Sequence, residues 1–431
     1  MTRIEELYQY FKQFPQVTTD SRQAANGKLF FALKGEKFDG NQFAAKAIEQ
    51  GAELAIVDDK EVVVSDKFFL VDDVLEALQQ LANHHRHQLN IPVIAITGTN
   101  GKTTTKELVS TVLEKKFNVL YTLGNFNNHI GVPLTLLRLN GEHEIAVIEM
   151  GANHPGEIAE LCEIAAPNYG MITNVGKAHL EGFGSFEGVK KTKSELYRYL
   201  ESNGGKIFLN ADNAILSELA NGELITYGSK SGNFLQGELI SGSWNCNFKV
   251  LFPKGWLYMN TNLVGAYNFE NGLAASCIGH FFEVDALQIQ KALANYKPEN
   301  MRSQYVKKSA AHLIIDTYNA NPTSMLAALN HFISINGRNK CVILGDMLEL
   351  GEYAVEEHQK VVDWLLGNKL HRVILVGKHF VATSSPKEII CVESAAEVKA
   401  LIDKEPFTSN DLVLIKGSRG IKLEQLVDMI Q

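Results

Sequence analysis

The chain has 431 residues, 45% of them hydrophobic, and at ~100–200 residues per domain such a length predicts about three domains, each with its own buried core. Lys and Arg number 41 against 49 Asp and Glu, a formal charge of −8, so there is no basic surplus to neutralise a phosphate backbone, and nucleic acid is excluded as the main partner. Cys162, Cys246, Cys277, Cys341 and Cys391 are odd in number, widely spaced and without a CxxC pair, which argues against a disulfide framework or a zinc site and fits a reducing cytoplasm.

The opening stretch MTRIEELYQYFKQF spreads its charges and has no apolar centre, so it does not read as a secretory signal. The longest apolar runs, such as IPVIAI at 91–96, are strand-sized and far below the ~18 residues of a membrane span. Residues 1–88 carry short β-like runs (LFFAL at 29–33, ELAIV at 53–57, FFLV at 68–71) and a helical stretch from Asp73 to about Gln88, a small α/β cap. From 89 the runs IPVIAIT, EIAVIEM, YGMITNV and KIFLN alternate with helix-like segments, which predicts a mostly parallel sheet covered on both faces. Between Leu224 and Val264 shorter alternating stretches suit antiparallel hairpins appended to that sheet, and the helical run NGLAASCIGHFF follows. Lys297-Pro298-Glu299-Asn300 punctuates the chain, and HLIIDT, KCVILGD, RVILVG and DLVLIKG begin a third alternating set. The expected class is α/β with three domains: 1–88, 89–299 and 300–431.

The strongest local signal is Thr97-Gly98-Thr99-Asn100-Gly101-Lys102-Thr103-Thr104, a Gly-rich turn between an apolar strand and a helix-forming stretch. In that context glycines let backbone N–H groups approach phosphate oxygens and the helix N-terminus adds its positive end. The Lys102 ammonium reaches the terminal phosphates and Thr103 is placed to ligate magnesium. The spacing departs from GxxxxGK[ST], because Ile96 stands where the first Gly would be.

A magnesium nucleotide also needs acidic or polar groups at neighbouring strand ends. Glu149, closing the run EIAVIEM, is such a group, or else a solvated strand-end carboxylate. Its flanking Ile148 and Met150 favour a partner cation, since burying a lone carboxylate is costly. His179 lies on a Gly-rich loop past MITNV, where either a second metal ligand or an ordinary surface histidine would fit. Lys193, in KKTKSELY, reads on its own as a solvated helix lysine.

Taken in order, these motifs resemble the Mur ligase family of peptidoglycan synthesis. The resemblance covers nearly the whole chain. It is carried by TTDSR at 18–22, FFALKGEKFDGNQF at 30–43, GTNGKTTTKEL at 98–108, TLGNFNNHIGVPLTLL at 122–137, EMGANHPGEI at 149–158 and NVGKAHLEGFGS at 174–185. NADN at 210–213, DTYNANPTSM at 316–325, LGDMLELG at 344–351 and KGSRG at 416–420 continue it. YNANP is present and the DNPR string of third-residue ligases is absent, which implies the branch that adds a D-alanyl-D-alanine dipeptide to UDP-N-acetylmuramoyl-tripeptide.

The resemblance implies a small N-terminal domain for the UDP-linked substrate, a central P-loop-type ATPase domain, and a Rossmann-like C-terminal domain for the incoming dipeptide. It assigns Gly98 to Thr104 to ATP, Lys102 to its β- and γ-phosphates, and Thr103 with Glu149 to one magnesium ion. His179 and a carbamylated Lys193 would serve a second ion. Asn268 and Asn271 align with adenine contacts, although Tyr267 replaces a usual His. Arg302 aligns with a γ-phosphate contact, and Asp316, preceded by Ile315 rather than a second acid, with a ribose contact. Ser21 and Arg22 align with the uridine diphosphate site, with Asn41 in place of a frequent His. Asn319, Asn321, Ser418 and Arg419 align with the dipeptide side, and Arg419 is equally read as a surface arginine. The implied enzyme is a cytoplasmic, monomeric, ATP-dependent amide ligase acting on small molecules. Its rivals are a folylpolyglutamate-type ligase with another acceptor and a nucleotide-binding protein without catalysis.

Overall fold

The computed structural model describes residues 2–240, 244–336 and 338–430. Three large sheets follow one another along the chain, and a two-stranded antiparallel ribbon, Lys34–Gly35 with Phe38–Asp39, accompanies the first. The first has four parallel strands in chain order, Gln16–Thr18, Lys28–Phe31, Leu54–Val57 and Phe68–Leu70. The runs LFF and LAIV are buried on both faces, which is why they are continuously apolar rather than alternating. Helix Ala44–Glu49 covers one face with Ala44 and Ala47. Helix Arg3–Gln13 covers the other with Leu7, Tyr8 and Phe11, and a capping box between Thr2 and Glu5 fixes its start.

Helix Val74–Gln88 begins at an Asp73 cap and buries Leu78, Leu81, Ala82 and His85 along one stripe. It belongs to the first core and to the second at once. His85 bridges Tyr8 (Nδ1 to the hydroxyl, 3.2 Å) and the Leu139 carbonyl (Nε2, 2.9 Å). Arg86, 6% exposed, donates to the carbonyls of Leu89, Ala165 and Ala166 and to Asn168 Oδ1. Its guanidinium thereby caps the C-terminus of helix Glu157–Ala165, where orphan carbonyls and the dipole both favour a cation.

The central sheet has nine strands. From one edge they run Val119–Tyr121, Ile145–Glu149, Val93–Thr97, Tyr169–Ile172, Lys206–Asn210, Glu223–Gly228 and Leu235–Ile240, all parallel, then Asn247–Phe252 and Gly255–Met259, antiparallel. The expected hairpins at 224–264 form from Leu235 onward, whereas Glu223–Gly228 continues the parallel ladder beside Lys206–Asn210. From Val93–Thr97 the chain proceeds towards one edge and from Tyr169–Ile172 towards the other. The carboxyl ends of these neighbours therefore flank a switch point, the usual place for a ligand crevice.

The third sheet has the order Gln304–Lys307, His312–Asp316, Asp411–Lys416, Asn339–Gly345, Arg372–Val376 and Ile390–Val392, parallel except for the first pair. The four long apolar runs supply its centre, and the two strands that flank them are short edge strands with only half-buried or exposed positions. Among the described residues no helix is long and apolar enough to cross a membrane.

Because Arg86 satisfies carbonyls from two elements, Arg86→Ala should lower unfolding stability by about 2–3 kcal/mol. Urea denaturation of the full chain checks this, and an unshifted midpoint would contradict it.

Candidate active site

The phosphate-loop stretch folds as its residues require. After strand Val93–Thr97, Gly98 adopts φ +140°, and a Cβ there would lie 2.0 Å from Thr173 Oγ1. Gly101, at φ +80°, starts helix Lys102–Leu113, and a Cβ on it would lie 2.7 Å from Asn271 Oδ1. Only glycine fits either place. The neighbouring strand end clamps the loop. Thr173 Oγ1 donates to the Asn100 carbonyl (2.6 Å), Asn174 Oδ1 accepts from Asn100 N (3.0 Å), and Thr99 Oγ1 exchanges bonds with the backbone of Gly176.

The loop opens on a cleft of about 780 Å³ between the second and third sheets. Thr99 to Thr104 line it together with Glu149, His179, Asn268, Asn271, Arg302, Asp316, Asn319 and Asn321. Lys102 Nζ donates to the carbonyls of Gly98 (2.7 Å) and Thr99 (3.2 Å). Burial and the nearby Arg302 push its pKa down to about 8, against the pull of Glu149. An ammonium held this way gains from an incoming phosphate both a counter-charge and better acceptors.

Glu149 ends its strand at 1% exposure. Its Oε1 accepts from Thr103 Oγ1 (3.2 Å) and Asn127 Nδ2 (2.7 Å), while Oε2 is buried without a partner. The solvated-carboxylate reading is therefore wrong for its environment: a buried orphan carboxylate oxygen beside a threonine hydroxyl fits a divalent cation. Among the described residues no three His, Cys, Asp or Glu side chains converge to hold a metal alone. Magnesium needs few protein ligands where nucleotide phosphates supply the other oxygens.

Lys193 is 2% exposed, not a solvated helix lysine. Its Nζ lies 5.6 Å from the centroid of the Phe183 ring and takes no hydrogen bond or ion pair among the described residues. Burial first and the charge of Lys102 second depress its pKa well below the lysine range, with Glu157 and Glu195 opposing. The pattern looked solvated because its helix, Phe186–Lys193, carries two further lysines, of which Lys191 is exposed and Lys190 half-buried on Glu218. His179, at φ +51°, turns its Nδ1 to the Glu349 carboxylate of the third sheet's loops.

On the third sheet, Asp316 pairs with Lys416 (2.6 Å), which is 1% exposed and also reaches the Asn319 carbonyl. The Arg302 guanidinium stacks 3.7 Å from the centroid of the Tyr318 ring and leaves Nε buried and unpaired, an open donor at the cleft. Asn321 caps helix Pro322–Ser334 and joins Asn100 of the phosphate loop through Nδ2 to Oδ1 (2.7 Å). Ser418 Oγ accepts from Leu348 N and donates to the Ala320 carbonyl, so it braces the cleft from behind. Arg419 stands 5.5 Å from the centroid of the same Tyr318 ring.

Asn268 and Asn271 form a buried chain, from Thr105 Oγ1 through Asn271 and Asn268 to the Val264 carbonyl, behind the loop they border. Tyr267 is half-buried, with its hydroxyl on Ser303 Oγ (2.7 Å), where a polar ring tip finds a partner. Ser21 and Arg22 do not line this cleft; Arg22 is fixed to Asp20 (2.8 Å) in a short helical turn of the first domain. Asn41 is buried between Asp39 and Asp58. Among the cleft residues to which the sequence motifs gave no individual role are Asn127, Tyr318, Glu349 and Lys416. The run GNFNNH at 124–129, unusually rich in amides for a segment before a helix, was the available sign for the first.

Comparison with known proteins agrees with this geometry. Residues 14–86 match the model of the Mur ligase family catalytic domain, 96–279 the Mur ligase middle domain, and 301–419 the Mur ligase glutamate ligase domain. The UDP-N-acetylmuramoyl-tripeptide–D-alanyl-D-alanine ligase of Bacillus subtilis strain 168 is 38% identical over 428 residues, covering 96% of this chain and 93% of the relative. The chain belongs to the Mur ligase family. As a member it is an ATP-dependent, ADP-forming ligase. Among solved structures, MurF from Acinetobacter baumannii superposes with TM-score 0.88 at 31% identity, covering 99% of this chain and 98% of that one. A Thermotoga maritima MurF ligase crystallised with ADP gives 0.86 at 28%, covering 97% of each.

Gly98→Ala combines a forbidden backbone angle with a clash on Thr173, so it should weaken ATP binding by at least about 2 kcal/mol, roughly 30-fold. Calorimetric titration with a non-hydrolysable analogue checks it; unchanged affinity would show that the loop does not grip the nucleotide.

Proposed function

We propose that this Mur ligase joins D-alanyl-D-alanine to UDP-N-acetylmuramoyl-tripeptide at the cost of one ATP, completing the pentapeptide precursor of peptidoglycan in the cytoplasm. Two observations support the choice of substrates. A relative named for that reaction matches at 38% over nearly the full chain, and the YNANP element at 318–322 forms the third sheet's wall of the cleft, with Asn321 bonded to the phosphate loop.

In this reading residues 1–88 hold the UDP end through Ser21 and Arg22, residues 89–299 hold ATP, and residues 300–431 hold the dipeptide beside Asn319, Asn321, Ser418 and Arg419. The chain acts as a monomer. Gly98 to Thr104 wrap the phosphates, Asn268 and Asn271 border the adenine, and Asp316 takes the ribose.

The terminal carboxylate of the tripeptide attacks the γ-phosphorus, and the bond to the β-bridging oxygen breaks to leave ADP and an acyl phosphate. The dipeptide amine then attacks the acyl carbon, loses a proton, and expels inorganic phosphate as the amide forms. Two anions must meet for the first step, so neutralising charge in a water-poor site is the main task. Lys102 moves from its loop carbonyls to the β- and γ-phosphates, and Arg302, with its open Nε, meets the γ-phosphate from the other wall. Thr103 and Glu149 would hold one magnesium ion, and His179 with Lys193 a second; such ions supply positive charge to the phosphate oxygens.

An ammonium at Lys193 would repel that second ion, but its buried amine favours the neutral form. Neutral Nζ attacks the carbon of CO2 and sheds a proton, giving a carbamate, an anion that attracts the ion instead. Phe183 and the surrounding burial keep water from the adduct.

Phosphate release should require ATP, UDP-N-acetylmuramoyl-tripeptide and D-alanyl-D-alanine together; release with glutamate and a folate acceptor instead would overturn the assignment. Lys193→Ala should lose most activity, about 100-fold or more for removal of a group that helps neutralise the transition state, and added short-chain carboxylates should restore part of it. Full activity of the unsupplemented variant would refute the carbamate.

A further inference from the structure

The segment 176–181, which follows the clamp on the phosphate loop, is gripped by the third domain at several points. Lys177 N donates to Thr323 Oγ1 (3.2 Å) and Lys177 Nζ meets Glu357 (3.1 Å). Glu181 N reaches the Glu349 carbonyl, and the Glu349 carboxylate meets His179 Nδ1. Glu349 sits at φ +64°, a backbone shape uncommon for a residue with a side chain. It is held there from both sides. The preceding backbone is anchored in its own domain, Met347 N on His358 Nε2 and Leu348 N on Ser418 Oγ. The following Gly351 packs against Glu181, 3.3 Å from where its Cβ would stand.

Stability does not explain this arrangement. The Glu349 side chain is 58% exposed, and a half-solvated ion pair adds little to a fold. What the contact does fix is the imidazole. A carboxylate on Nδ1 keeps the proton there and leaves the Nε2 lone pair free, the arrangement by which carboxylates orient histidine ligands of metals. His179 is in turn the neighbour that holds the Glu349 carboxyl below the usual glutamate range.

We infer that Glu349 is a positioning residue: by accepting the Nδ1–H hydrogen bond of His179 it makes His179 ready to bind a divalent cation only when the third domain is docked. The inference rests on the proposed role of His179 as a cation ligand. The connection extends further. Leu348 hangs on Ser418, Ser418 donates to the Ala320 carbonyl, and Asn321 next to it bonds Asn100 of the phosphate loop. One bonded path through the third domain thus joins the second cation position to the loop that grips ATP.

The test uses the full-length protein with a non-hydrolysable ATP analogue and Mn2+ as the probe, its binding followed by electron paramagnetic resonance. Glu349→Ala should weaken binding of the second Mn2+ roughly 10–100-fold, and Glu349→Gln, which keeps an acceptor oxygen, should weaken it less. Ring 15N spectra should show His179 as the Nδ1–H tautomer in the parent protein and a mixture in Glu349→Ala, a readout that a merely structural role would not move. His179→Ala is the control. If it weakens Mn2+ binding while Glu349→Ala changes neither affinity nor tautomer, the positioning role is overturned and the cation site stands. If His179→Ala also leaves both Mn2+ ions bound as tightly as before, the cation reading of His179 fails, and this inference with it.

Discussion

The structure depends on the clamp between two neighbouring strand ends, where Gly98 lies against Thr173 and the carbonyl of Asn100 is held by Thr173 and Asn174. The loop must expose N–H groups to a tetra-anion without the ligand to hold it in shape. Bonds from the adjacent strand meet that need by taking the loop's outward carbonyl and side chains, so that its inner face stays free. Everything else in the cleft is placed relative to this fixed cradle: Glu149 by the ladder to Val93–Thr97 on one side, and the segment to His179 by direct continuation from Asn174 on the other.

Buried charge gives the cleft its chemistry. Glu149, Lys193 and Lys416 sit near full burial and Lys102 is half-buried, yet of the four only Lys416 has a close oppositely charged partner. The other three are incompletely matched, and a protein retains such groups where a ligand completes them. The unmatched charges are of both signs and adjoin one another, which suits a ligand that brings phosphate anions and metal cations together.

Much of this was legible beforehand, for identifiable reasons. Strands such as VIAIT and LVLIK are buried on both faces and announce themselves by continuous apolar runs, and a loop needing left-handed angles announces itself by glycine. Helix Arg3–Gln13 was passed over because its apolar positions, Leu7, Tyr8 and Phe11, are diluted by polar neighbours over only three turns. Strand Glu223–Gly228, which lies between Lys206–Asn210 and Leu235–Ile240, looked like a hairpin arm because it is only partly buried, unlike the continuously apolar strands of the same sheet. The burial of Lys193 was invisible locally, since it depends on Phe183 and on helices that pack over it. The ion pair of His179 with Glu349 joins positions 170 residues apart, and no local pattern encodes such a meeting. The family resemblance gave roles to both His179 and Lys193, and took in Glu349 only as one residue of LGDMLELG, without a role.

Helix Val74–Gln88 has one further consequence. Through His85 and Arg86 it is fastened to both of the first two domains, so their separation is set by packed side chains and carbonyl bonds instead of by a linker. With the nucleotide end of the donor anchored at Ser21 and Arg22, as proposed, the span to the γ-phosphorus becomes a fixed ruler. A donor with too few peptide units would stop short of the phosphorus however tightly its uridine end were held, and length alone would distinguish an unfinished precursor from the correct one.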